Sequence, residues 1–66
     1  VQRLLPERGY GFIRARDGQY VGVDFFFHAS GLIGGCAMRD LEQGDLVRFE
    51  PRLAAKGHRA ENIELL

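Results

Sequence analysis

Apolar positions in this chain recur every second residue, in short runs broken by glycine, proline and charge. No stretch carries the periodicity of a helix three turns long, so the pattern predicts strands. Tyr10 to Arg16 is one of them. On the two-residue period Arg8, Tyr10, Phe12 and Arg14 fall on one face, with Gly9, Gly11, Ile13 and Ala15 on the other. Val23 to His28 is another, with Val23, Phe25 and Phe27 on one face and Asp24, Phe26 and His28 on the other. Three consecutive phenylalanines cannot all enter one core, so Phe26 is expected outside, beside His28. Asp45 to Glu50 points Val47 and Phe49 inward, and Arg48 and Glu50 outward. His58 to Leu65 offers Ala60 and Ile63 to the core. Those two are three apart, so strict alternation fails and a bulge or twist is expected. Val1 to Leu5 makes a first strand that Pro6 ends.

The connections carry turn chemistry. Pro6 to Gly9 turns the chain into the second strand, and Asp17-Gly18 is a tight-turn signal. Gln19 to Gly22 reads as loop or bulge, with the extension of a strand edge by Tyr20-Val21 as the alternative. Ala29 to Leu32 reads as one helical turn with Leu32 tucked inward. Ile33 to Gly44 is the longest connection, anchored by Leu41, and its length marks it as functional or mobile. Pro51 indicates an edge or a strand end, and Leu53 to Gly57 a turn carrying Lys56. Five short strands predict a small all-β barrel or sandwich. A closed barrel is favoured, because it removes edges that so small a sheet cannot protect.

Length leaves room for one domain: 66 residues build a small core that needs a compact architecture. The one cysteine, Cys36, excludes an internal disulfide framework, fits a reducing cytoplasm and reads as a half-buried filler. No apolar run approaches the ~20 residues of a membrane span, and no charged-then-apolar leader is present. Val1 already reads as strand, so an excised or processed domain is expected. The formal net charge is zero, but Arg3, Arg8, Arg14 and Arg16 crowd the first sixteen residues against Glu7 alone. A neutral chain can still present one basic face, though not the many phosphate contacts of sequence-blind duplex binding.

The outward faces hold the candidate chemistry. A strand normally hides aromatics and shows charges, yet Tyr10 and Phe12 share a face with Arg8 and Arg14. Aromatics interleaved with cations suit a nucleic-acid strand, whose bases stack on rings and whose phosphates meet guanidinium groups. Gly9 and Gly11 let this strand bend as a small barrel requires. Asp24 either accepts a hydrogen bond from a base edge or pairs with an arginine. Arg16 reads as solvated. Asp24, His28 and Ser30 are triad residue types without triad geometry, and two histidines and one cysteine scattered along the chain do not make a metal site. The expectation is a protein with no enzymatic activity, catalytic residue, metal or cofactor.

Four motifs in order resemble the cold-shock domain family. Arg8-Gly9-Tyr10-Gly11-Phe12-Ile13 is similar to its first ribonucleoprotein motif, usually Lys-Gly-Phe-Gly-Phe-Ile. Asp24-Phe25-Phe26-Phe27-His28-Ala29-Ser30 is similar to its second, usually Asp-Val-Phe-Val-His-Phe-Ser. Leu41 to Phe49 resembles the family's Leu-x-x-Gly-x-x-Val-x-Phe, and Lys56 to Ile63 its Lys-Gly-Pro-Gln-Ala-x-Asn-Val. The resemblance covers nearly the whole chain, so residues 1–66 are expected to form one cold-shock-like domain. It implies a five-stranded antiparallel OB-fold barrel that binds single-stranded RNA or DNA across its first three strands, leaning to pyrimidines. Several members act as RNA chaperones.

Carried over by position, Tyr10, Phe12, Phe26 and His28 are the implied stacking platforms. Arg8 replaces a lysine close to the nucleic acid, and Arg14, Lys56 and Arg59 are further candidate contacts. The chain departs from the family pattern in its first strand. Gln2-Arg3-Leu4-Leu5 stands where the family usually has Lys-Trp-Phe-Asn, so Arg3 occupies the tryptophan position. Ala29 follows the histidine where an aromatic is usual, and His58 replaces a proline. Arg3 joins the candidate binding residues because a guanidinium plane also stacks on bases. Weaker binding or a shorter footprint is expected. The rival reading is a protein-interaction module using the same aromatic face. A cytoplasmic monomer with no membrane partner is expected, a dimer through that face or an open edge being the alternative.

Overall fold

The computed structural model describes residues 1–54 and 57–66. Five strands form one sheet: β1 (Arg3–Leu5), β2 (Tyr10–Arg14), β3 (Asp24–His28), β4 (Val47–Ala54) and β5 (Gly57–Leu65), in the order β1-β2-β3-β5-β4. There is no α-helix among the described residues, only single 3-10 turns in the connections. The all-β, five-stranded OB-fold-like barrel is therefore present. Three of the neighbouring pairs are antiparallel, while β3 and β5 meet in parallel at Phe26 and Arg59.

Alternation builds the core as the phenylalanine run requires. Ile13, Phe25, Phe27, Leu41, Ala60 and Ile63 are buried, and Phe25 and Phe27 are fully so. Val47, Phe49, Leu4 and Leu32 pack against them. Leu4, Gly11 and Phe27 lie opposite one another across β1, β2 and β3. A Cβ on Gly11 would stand 2.5 Å from the Arg3 carbonyl oxygen and 2.8 Å from the Phe27 ring. Glycine at this position is thus what lets the ring press against two strands at once.

Several boundaries differ from expectation. Arg8 does not lie on the strand with Tyr10: Pro6–Arg8 forms a 3-10 turn, and Gly9 leaves it with φ 73° while its N–H bonds the Pro6 carbonyl. Proline at the first turn position has no N–H to waste, and Gly9 takes the left-handed conformation without a Cβ penalty. β2 stops at Arg14, although Ala15 still exchanges backbone bonds with Gly22 and Val23. Pro51 does not end β4, which continues to Ala54. β4 is an edge strand, and a residue without an N–H is tolerated there because no ladder bond is lost. Residues expected in the last turn, Leu53 and Gly57, therefore pair as strand.

The bulge expected in the last strand is present. Arg48 faces Glu64 and Glu50 faces Glu61, so three residues of β5 advance against two of β4. Asn62 absorbs the extra step with φ 50°, and Ala60 and Ile63 both reach the core. The sheet is not closed by a ladder between β1 and β4, unlike the closed barrel anticipated. Instead Val1 bonds the Asp45 carbonyl and receives the Gly44 N–H at 2.8 Å. The long connection is pinned rather than free of structure. Leu41 anchors it, Met38–Asp40 forms a turn, and Asp45 Oδ2 accepts the Glu42 N–H at 2.8 Å. Cys36 lies half-buried in it, and burial pushes its thiol pKa above the ordinary value, helped by Asp40 and Asp45.

Candidate nucleic-acid interface

Strand register decides which side chains meet on the outer face. Phe12 stands opposite Phe26, Tyr10 opposite His28, and Arg14 opposite Asp24. Directly opposed residues project to the same side, so β2 and β3 carry a two-strand aromatic patch. Tyr10, Phe12 and Phe26 are half-buried. Their ring centroids lie 5.5 to 6.2 Å apart, with Tyr10–Phe26 tilted and Phe12 edge-on to both others. Such contacts hold the rings against one another while each keeps part of its surface exposed. Leu5 lies opposite Tyr10 and widens the patch with an aliphatic side chain that residue-type reasoning did not single out. The alternation of β1 was the signal for it, because Leu4 points to the core.

His28 is oriented by the turn that follows it. The Ser30 N–H donates to His28 Nδ1 at 3.1 Å, and Ser30 Oγ lies 3.0 Å from the same nitrogen. A backbone N–H can only donate, so Nδ1 accepts and the neutral ring carries its proton on Nε2. Ser30 thus fixes the orientation of the His28 ring. It does not belong to a triad: Asp24 is four residues from His28 on one strand, about 13 Å along it, and its carboxylate is engaged elsewhere.

That engagement is with Arg14. Its Nε and Nη2 donate to the two Asp24 oxygens at 2.7 and 3.2 Å. The hydrogen bond from Arg14, aided by its charge, holds the Asp24 carboxyl below the usual carboxylate range, and the same pair raises the Arg14 pKa. Of the two readings of Asp24, pairing with an arginine is the one present. The other candidate cations differ in their surroundings. Arg3, exposed on β1, lies opposite Phe12, and Arg59 lies opposite Phe26. Among the described residues Arg3, Arg8 and Arg16 have no ion-pair partner. Arg8 sits in the turn just before β2. Lys56 lies outside the described residues.

The outer face of β4 and β5 is a mesh of ion pairs. Arg48 meets Glu64 at 2.6 Å, and Arg52 lies between Glu61 at 3.1 Å and Glu50 at 3.6 Å. Arg59 reaches Glu61 only at 3.9 Å. His58 faces the other way: its ring lies 5.3 Å from Phe25 and 6.3 Å from Tyr20. A groove of about 690 Å³ opens between the end of β2 and the start of β4, and none of Tyr10, Phe12, Phe26 or His28 lines it. Tyr10, Phe12, Phe26 and His28 instead share the outer face of β2 and β3. Among the described residues no cluster of three His, Cys, Asp or Glu side chains can hold a metal ion. No helix among them is long and apolar enough to cross a membrane.

The model of the 'Cold-shock' DNA-binding domain matches residues 1–66. The chain belongs to the cold-shock domain family. It is similar to the Major cold shock protein of Micrococcus luteus, 37% identical over 66 residues that cover all of this chain and 92% of that protein. It is also similar to Cold shock protein ScoF of Streptomyces coelicolor, 44% identical over 63 residues, 96% of this chain and 88% of that one. Cold-shock domains are generally nucleic-acid binders, and the patch on β2 and β3 is where this one carries both of its ribonucleoprotein-like motifs.

Proposed function

We propose that this cold-shock domain binds single-stranded RNA or DNA by stacking bases on Tyr10, Phe12, Phe26 and His28. The observation that carries the reading is the contact of three half-exposed aromatic rings on an outer sheet face. Burial in the core is already supplied by Phe25 and Phe27, so these rings have a free surface to offer. Arg3, Arg8, Arg14, Lys56 and Arg59 supply attraction to phosphates and base edges. Stacking is worth about 1–3 kcal/mol per base. Arg3 and Ala29 stand where two platforms are usual in the family, so binding is weaker or the footprint shorter than in a typical member. In this reading the domain spans residues 1–66, works in the cytoplasm as a monomer without catalysis, and keeps transcripts unstructured as an RNA chaperone.

A titration with heptamers of thymidine and of uridine at two salt concentrations tests this. Binding that weakens as salt rises is expected, because phosphate contacts release counterions. A folded protein that binds neither oligomer at low salt removes the reading. Leu5 beside Tyr10 favours a second one, a protein-interaction surface, by making the patch more apolar. Association with a protein partner through that patch would hardly change with salt.

A further inference from the structure

One row of the sheet crosses four strands: Arg3 on β1, Phe12 on β2, Phe26 on β3 and Arg59 on β5 are successive register partners. All project from the outer face, since Phe25, Phe27 and Ala60 alternate with them into the core. Neighbouring strands lie about 4.8 Å apart, so each arginine begins one strand spacing from a ring. The two arginines are also the least engaged on the face. Arg3 has no ion-pair partner among the described residues. Arg59 has Glu61 at 3.9 Å, but Arg52 holds that carboxylate more closely, at 3.1 Å. Arg14 and Arg48, by contrast, have carboxylates at 2.7 and 2.6 Å.

A base stacked on Phe12 or Phe26 uses its face and turns its edge sideways, toward the strands that carry these arginines. A guanidinium fork offers two parallel N–H donors and accepts nothing. Guanine presents two adjacent acceptors, O6 and N7. Adenine pairs N7 with an N6 donor, and thymine separates its two carbonyls by an N–H, so neither meets the fork with two bonds there. We infer that Arg3 and Arg59 read the edge of a base stacked on the Phe12–Phe26 pair and select guanine over adenine and thymine. The inference rests on the stacking function proposed above.

Three labelled DNA heptamers test it: all thymidine, and the same strand with a central guanine or a central adenine. At one salt concentration the guanine strand is expected to bind about fivefold tighter or more than the other two, the lower end of what a bidentate arginine contact discriminates. The double variant Arg3→Lys with Arg59→Lys keeps both charges and removes both forks. It is expected to bring the guanine strand down to the affinity of the thymidine strand, the readout being the ratio of the two affinities. Equal affinity for all three strands overturns the inference, as does a preference that survives in the double variant. A loss in that variant that is uniform across the strands also overturns it, because the guanidinium groups then act without reading the base edge. If no heptamer binds the folded protein, the stacking function itself fails and the inference falls with it.

Discussion

Two halves of one sheet put the same residue type to different uses. On β4 and β5 the outward arginines meet glutamates: Arg48 with Glu64, and Arg52 with Glu61 and Glu50. On β1 to β3 the outward face carries rings, and its arginines are free or, for Arg14, held by Asp24. Exposed ion pairs add little stability, so the mesh on β4 and β5 serves chiefly to cancel charge. A count of arginines therefore overstates the basic surface. Availability depends on which carboxylate the register sets opposite, and among the described residues Arg3 on β1 and Arg59 on β5 are the loosely held guanidinium groups left beside aromatic rings.

The largest expected effect separates neighbours in one strand. Phe27→Ala should destabilise the domain by about 3–5 kcal/mol, the range for a fully buried ring, and in so small a chain that approaches unfolding. Phe26→Ala should cost clearly less in urea denaturation. Equal losses would mean that the two faces of β3 have been misassigned. Gly11→Ala comes next. A Cβ there meets the Arg3 carbonyl at 2.5 Å and the Phe27 ring at 2.8 Å. Overpacking of this kind costs about 1–3 kcal/mol, and loss of protection of the β1–β2 amides in hydrogen exchange should accompany it. An alanine variant as stable as the parent would show that β1 can move away freely.

Binding effects on the two halves should diverge as well. Phe12→Ala and Phe26→Ala should each weaken binding of a single-stranded heptamer by about 1–3 kcal/mol. Arg48→Ala, which removes an arginine already paired on the far half, should leave that affinity unchanged and stability within about 0.5 kcal/mol. A matching loss from Arg48→Ala would extend the interface across β4 and β5.

The smallest expected effect concerns Asp24. Its folded pKa is lowered by the hydrogen bond from Arg14. A carboxylate depressed in the folded state stabilises above its unfolded pKa, and the contribution fades as pH falls through the folded value. The pair is well exposed, with side chains 49% and 41% accessible, so the fade is slight. An NMR titration should place the Asp24 midpoint below that of an ordinary aspartate, and Arg14→Gln should return it toward the ordinary value. A midpoint that does not move in Arg14→Gln would assign the depression to another cause.

Much of this was legible in the residues. The period of two in Tyr10–Arg14 and Asp24–His28 separated core from outer face correctly, including the outward Phe26 between two buried phenylalanines. The spacing of Ala60 and Ile63 announced the bulge at Asn62. These readings succeed because alternation is a local property of the extended backbone. The pattern misleads where two local signals compete. The period of two extends to Arg8, but Pro6 and Gly9 hold it in a turn. Pro51 is compatible with an edge or a strand end, and the edge position of β4 in the sheet decides for the first.

The sequence by itself determined the family, the five strands and the two faces of β2 and β3, because motif order and side-chain alternation are written along the chain. Tertiary structure alone decided which cations remain available. Arg14 finds Asp24 ten residues away, Arg48 finds Glu64 sixteen away, and Arg3 and Arg59 come to the two ends of one aromatic row from opposite ends of the chain. Those meetings depend on strand order and register, which hydrogen bonding between distant segments sets and no local pattern records.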